Sequence, residues 1–143
     1  MGRAGHRYML DTDTLTLLQR QHPVVVRAFQ QVAAQDVLVS VISVEEQLSG
    51  WYTQLRRARS VEQLAEIYRR LTETIRVLGQ FDLVTCSEAA IRRYQQLKKL
   101  KLGVGSWDLR IAAIALEEDA VLVTRNRRDF GLIPGLRCED WSA

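Results

Sequence analysis

The sequence predicts an α/β domain: a mostly parallel sheet of four or five strands, helices on both faces, and one helical hairpin. Three observations point there. Short apolar runs rich in Val and Leu alternate with longer stretches of helical period. Strand–helix–strand order demands parallel pairing through crossover helices. A chain of 143 residues has the length of one domain with a single core.

Tyr8-Met9-Leu10-Asp11 reads as a short strand with an abrupt polar end. Thr14 to Arg20 reads as a short helix, and Pro23 opens a second that reaches about Ala34. Val37-Leu38-Val39-Ser40-Val41 is a buried strand. Ser43 has the place of an N-cap, with Glu46 at capping-box distance. Two helices follow to about Leu78. Val44, Leu48, Trp51 and Leu55 make one apolar stripe; Val61, Leu64, Tyr68, Leu71, Ile75 and Leu78 make another. Ser60 caps the second, Gly79 ends it, and the pair forms an antiparallel hairpin. Its second stripe is expected to serve the core, or in part to cover a partner. Phe81 to Thr85 is the third strand, and Ser87 caps a helix reaching about Leu102. After Gly103-Val104-Gly105, Ser106 caps a helix over residues 108–118 whose centre is too apolar for exposure. Residues 120–124 form the fourth strand and residues 136–138 a short fifth.

Composition sets bounds. Apolar content of 47% with 26% charged residues excludes a disordered chain. A net charge of +3 permits a polyanionic partner without requiring one. No apolar run approaches the ~20 residues of a membrane span, so no membrane association is expected. Residues 1–7 read as a basic tail with no secretion signal, and residues 8–141 as the single domain. Cys86 and Cys138 lack metal-ligand spacing and read as buried or half-buried thiols of a cytoplasmic protein. His6 and His22 are too few to build a zinc site.

The chemistry lies in the acids. In open parallel sheets, ligands bind beyond the C-terminal strand ends. Asp11 follows the first strand, Glu46 lies a turn past the second, Asn126 and Asp129 lie past the fourth, and Asp108 enters from a helix N-terminus. Two carboxylates ~5 Å apart repel by roughly 3 kcal/mol at an effective dielectric of ~20. Mg²⁺ or Mn²⁺ relieves such repulsion and can activate water against a phosphodiester. Arg125, Arg127 and Arg128 adjoin the proposed site and could hold a nucleic-acid backbone. Trp51, Trp107 and Trp141 form no evident stacking platform and read as packing residues.

Four segments in order resemble the motifs of the PIN-domain family, above all its VapC-type toxins. They are Tyr8-Met9-Leu10-Asp11-Thr12-Asp13-Thr14-Leu15; Ser40-Val41-Ile42-Ser43-Val44-Glu45-Glu46 with Gly50; Ser106-Trp107-Asp108-Leu109-Arg110-Ile111-Ala112-Ala113; and Val123-Thr124-Arg125-Asn126-Arg127-Arg128-Asp129-Phe130 with the residues to Trp141. The resemblance implies a PIN-like three-layer α/β/α fold and a Mg²⁺-dependent endoribonuclease. Asp11 and Asp108 would be the principal metal ligands, Glu46 would complete the cluster, and Thr12 and Thr124 would support it by hydrogen bonds. It also implies an RNA substrate, a homodimer, and a cognate antitoxin that covers the helical hairpin in a type II toxin–antitoxin pair. Two positions depart from the usual pattern: Asp13 stands where Asn is common, and Asn126, with Asp129 a turn later, occupies the fourth acidic position.

Two other readings compete. Asp11-Thr12-Asp13-Thr14 also satisfies the DxDxT nucleophile motif of haloacid-dehalogenase-type phosphatases, with Asp13 as acid/base, yet no acidic pair follows the fourth strand. A catalytically weak PIN-like binding module is the other, motivated by Asn126.

Overall fold

Val- and Leu-rich runs build the strands. The computed structural model describes residues 5–143. Its strands are β1 (Tyr8–Leu10), β2 (Val37–Ser40), β3 (Asp82–Val84), β4 (Val121–Val123) and β5 (Cys138–Glu139). They pair in parallel in the order β3-β2-β1-β4-β5. The helices are α1 (Thr12–Gln19), α2 (Pro23–Gln30), α3 (Val41–Arg57), α4 (Val61–Leu78), α5 (Glu88–Lys99), α6 (Ser106–Glu117) and α7 (Arg127–Phe130). The expected α/β class, the parallel sheet and the hairpin are all present.

Alternation along the strands makes three layers. Met9, Leu38 and Leu122 face one side and pack on α6 and the buried side of α5. Tyr8, Leu10, Val37, Val39, Val121 and Val123 face the other and meet α1 and α2. Helix α6 is the innermost: Leu109, Ile111, Ala112, Ala113, Ile114 and Ala115 are all buried. The basic tail read over residues 1–7 lies, for residues 1–4, outside the described residues. Arg7 is tied to the fold by an ion pair with Glu118 at 2.9 Å, and its carbonyl accepts from Val121 N at 2.9 Å.

Three local expectations are corrected. Ser40, not Ser43, caps α3: its hydroxyl accepts from Ser43 N at 3.2 Å. The helix therefore starts earlier, and Glu46 is no capping-box partner. Helix α6 likewise starts at Ser106, with Gly105 as a cap that offers no side chain. The apolar stripe of α4 mostly faces outward. Val61, Leu64, Tyr68 and Ile75 are exposed, whereas Ile67 and Leu78 are buried. The hairpin contact instead includes a polar bond, Trp51 Nε1 donating to Thr74 Oγ1 at 2.9 Å.

The chain runs from β1 outward to β2 and β3, then crosses back to β4 on the far side of β1. The boundary of β1 and β4 is thus the topological switch point, where an open α/β sheet leaves a crevice.

Candidate active site

Asp11 is the first residue past β1, and Thr124 the first past β4. Asp11 N still donates to Val123 O at 3.0 Å, so its backbone is clamped at the switch point. The Asp11 carboxylate caps α1, accepting from Thr14 N at 2.8 Å. Capping and site membership are therefore compatible: one oxygen serves the helix, and the residue still lines the crevice. Burial raises its pKa, opposed by hydrogen bonds from Thr124 and Thr14.

Glu46 comes from the second turn of α3. The Thr12 hydroxyl lies 2.8 Å from Glu46 Oε1 and 2.9 Å from Ser43 Oγ, and donates its one proton to the carboxylate. Burial raises the Glu46 pKa, and the charges of Asp108 and Asp11 add to that. Asp108 stands in the first turn of α6, where the helix dipole favours a carboxylate. Its pKa is nevertheless raised, by burial first and then by Asp11 and Asp129.

The crevice of about 530 Å³ is lined by Asp11, Thr12, Glu46, Asp108 and Asn126, with Phe130 among its walls. Asn126 caps α7: Asp129 N donates to Asn126 Oδ1 at 3.3 Å, and Asn126 Nδ2 donates to Asp129 Oδ2 at 3.1 Å. Thr124 is fully buried, and its hydroxyl accepts from Asn126 N at 2.9 Å. Arg125 also lines the crevice but is engaged with Asp13 through two bonds, of 2.7 and 3.1 Å. Arg127 and Arg128 are exposed and lie outside that lining.

The structure thus brings Asp11, Glu46, Asp108 and Asn126 to one crevice, with Thr12 and Thr124 bonded to the acids and Asp129 bonded to Asn126. Two features escaped the sequence reading. The Asp13–Arg125 pair spans 112 positions and has no local signal. The Ser40 cap did have one, a Ser three residues before a helical amide.

The three central carboxylates have no ion pair with any Lys or Arg of the described residues. Each has its pKa raised, and the three press on one another. Hard oxygen donors carrying uncompensated charge fit a divalent cation of the Mg²⁺ kind. Among the described residues, no three acidic, His or Cys side chains are close enough to ligate an ion directly.

Relatives sharpen the picture. The tRNA(fMet)-specific endonuclease VapC of Salmonella typhimurium is 30% identical over 138 residues, covering 94% of this chain and 98% of that protein. The chain belongs to the VapC family of PIN-domain toxins. Ribonuclease VapC1 of Haemophilus influenzae strain R2866 is 29% identical over 137 residues, with 94% and 98% coverage. The DNA-bound VapBC of Salmonella typhimurium superposes with a TM-score of 0.77 at 26% identity, over 95% of this chain and 98% of that one. No protein-family model matches the chain. In this VapC chain the Asp13 carboxylate is occupied by Arg125, which leaves it poorly placed for the acid/base duty that the phosphatase reading requires.

Asp13→Asn separates those chemistries. The exposed pair adds little stability, so the variant should melt close to the native protein. Its RNA cleavage should stay within about tenfold of native, whereas an aspartyl-phosphate enzyme loses its general acid/base and with it roughly 10²–10⁴ in rate.

Proposed function

We propose that this VapC is a Mg²⁺-dependent endoribonuclease, the toxin of a type II toxin–antitoxin pair. One observation carries the reading: Asp11, Glu46 and Asp108 share a crevice at the switch point, and no Lys or Arg of the described residues is ion-paired to them. The names of the relatives, ribonuclease and tRNA endonuclease, supply the substrate class.

Asp11 and Asp108 are the principal ligands, and Glu46 completes the acidic set. Bound there, Mg²⁺ supplies a Lewis acid that acidifies water and steadies charge on the phosphodiester. The protein's own part is placement. Thr12 holds one oxygen of Glu46, and the α1 and β4 backbones hold Asp11. Asn126 brings no charge to the fourth position, which suits a single ion. Arg125 on the crevice wall, with the exposed Arg127 and Arg128 that follow it, would meet the RNA backbone. The structural neighbours are VapBC complexes, and the exposed stripe of α4 fits a cognate antitoxin as partner. A homodimer and a cytoplasmic location belong to the same reading.

The test is sequencing of RNA ends after controlled expression of native chain and Asp108→Asn. New ends confined to the native chain are expected. Identical end profiles, with no growth arrest, would favour the inactive binding module.

Ion binding should also be visible without RNA. Because Asp11, Glu46 and Asp108 have raised pKa values, their contribution to stability is full below their unfolded values, near 3.8 and 4.5. It is lost as pH rises through the folded values. The metal-free protein therefore carries its largest repulsion at neutral pH. Mn²⁺ at a hundred times its Kd should add about 2.7 kcal/mol, roughly 8 °C in Tm, at pH 7.5 and clearly less at pH 5. A midpoint unmoved by the ion at both pH values would refute the metal site.

A further inference from the structure

Of the three tryptophans, two are committed to the fold. Trp141 is buried against Tyr8, ring centroids 5.5 Å apart, and donates to Glu139 Oε1 at 3.0 Å. Trp51 is half-buried in the hairpin and bonded to Thr74. Trp107 differs in being more exposed than its reading as a packing residue implied. It is 39% exposed, belongs to neither core cluster, and its indole N–H has no hydrogen-bond partner among the described residues. It immediately precedes Asp108 in the first turn of α6.

A built cation accompanies it. The Arg110 guanidinium lies 4.5 Å from the Tyr94 ring centroid and 6.0 Å from that of Trp107. Arg110 Nη1 donates to Ser106 Oγ at 2.5 Å, and that hydroxyl is 3.0 Å from the Tyr94 hydroxyl. The plane of Arg110 is therefore fixed from two sides before any ligand arrives. Lys98 and Lys99 end the adjoining helix α5 and are exposed. Aromatic faces and fixed guanidinium planes beside basic side chains are the surface on which unstacked bases of single-stranded RNA settle.

We propose that Trp107, with Arg110 and Tyr94 behind it, forms a stacking platform for a single-stranded RNA base next to the scissile phosphate. The inference rests on the ribonuclease reading and adds to it. The acids act on the backbone, whereas Trp107 takes a base and so selects an unpaired segment. Covering the exposed part of this indole with a base removes apolar surface from water and uses the cation held near its ring.

The experiment measures binding of two probes by the native chain in EDTA, which stops turnover: an oligo-uridine RNA and an abasic ribose-phosphate strand of equal length. The native protein should bind the RNA about tenfold more tightly than the abasic strand, with quenching of tryptophan emission. Trp107→Ala should bind both strands equally, losing about tenfold for RNA alone. Trp107→Phe should keep the preference within about threefold while the quenching disappears, which shows that the indole itself reports the base. Circular dichroism checks that both variants are folded. A native protein that prefers RNA, with Trp107→Ala unchanged in preference and quenching, overturns the platform and leaves the ribonuclease reading standing. A Trp107→Ala that changes oligomeric state with RNA affinity intact assigns the indole to a second copy and also overturns it. A native protein that neither binds nor cleaves RNA overturns both readings.

Discussion

Asp108→Asn should lower RNA cleavage about 10³-fold in single-turnover assays with Mg²⁺, without unfolding the protein. The size follows from the metal-ligand role proposed for the carboxylate. Loss of a charged ligand from a site whose ion stabilises developing charge removes several kcal/mol from the transition state, and about 4 kcal/mol corresponds to 10³ in rate. The amide keeps the shape of the acid and its place in the first turn of α6. Stability should move in the opposite direction to activity. The Asp108 pKa is raised by burial and by Asp11 and Asp129, so at neutral pH its ionised form opposes folding. The metal-free Asn variant should therefore melt no lower than the native protein, and the Mn²⁺-induced rise in Tm should shrink. Cleavage within tenfold of native would show that Asp108 holds no essential ion. A Tm well below native would show that the carboxylate has a structural role that the crevice geometry does not reveal.

The layout was legible because strand and helix periods differ. Val37-Leu38-Val39 and Val121-Leu122-Val123 are apolar at every position, as strands covered on both faces must be. The run from Ile111 to Leu116 is long enough only for a buried helix. The acids were legible for a related reason: Asp11 and Asp108 sit at strand and helix ends, where topology, not long-range contact, fixes their direction. Other features lay beyond sequence. The stripe from Val61 to Ile75 has the period of a core helix, but periodicity reports a face, not what covers it. Here Ile67 and Leu78 meet the protein and Tyr68 and Ile75 meet solvent. The Asp13–Arg125 pair depends on β1 and β4 being neighbours, which strand order alone reveals. Trp107 proves more exposed than its packing reading implied, because an aromatic at a helix start looks alike in sequence whatever its exposure.

Phe130→Ala should cost about 3–5 kcal/mol of stability, the range for a buried Phe cut to Ala, and should weaken cleavage as well. Helix α7 has four residues, far too few to persist alone. It stands on two supports. The Asn126 side chain caps it at one end, and Phe130 is 1% exposed within the core at the other. Gly131 then turns the chain so tightly that an added Cβ would lie 2.5 Å from Arg127 O. Removing the ring leaves a void beneath the segment, and backbone from Asn126 to Gly131 can relax into it. That segment presents Asn126 to the crevice and aims Asp129, whose charge bears on Asp108. Stability and cleavage would therefore be coupled through one apolar side chain. Urea unfolding measures the first effect, and cleavage well below the unfolding midpoint measures the second. The comparison with Ile114→Ala is decisive. Ile114 is equally buried in α6 but lines no part of the crevice, so that variant should lose about 2–5 kcal/mol and keep its cleavage rate while folded. Equal losses of rate in the two variants would mean that α7 has no special hold on the site, and that general loosening of the core accounts for both.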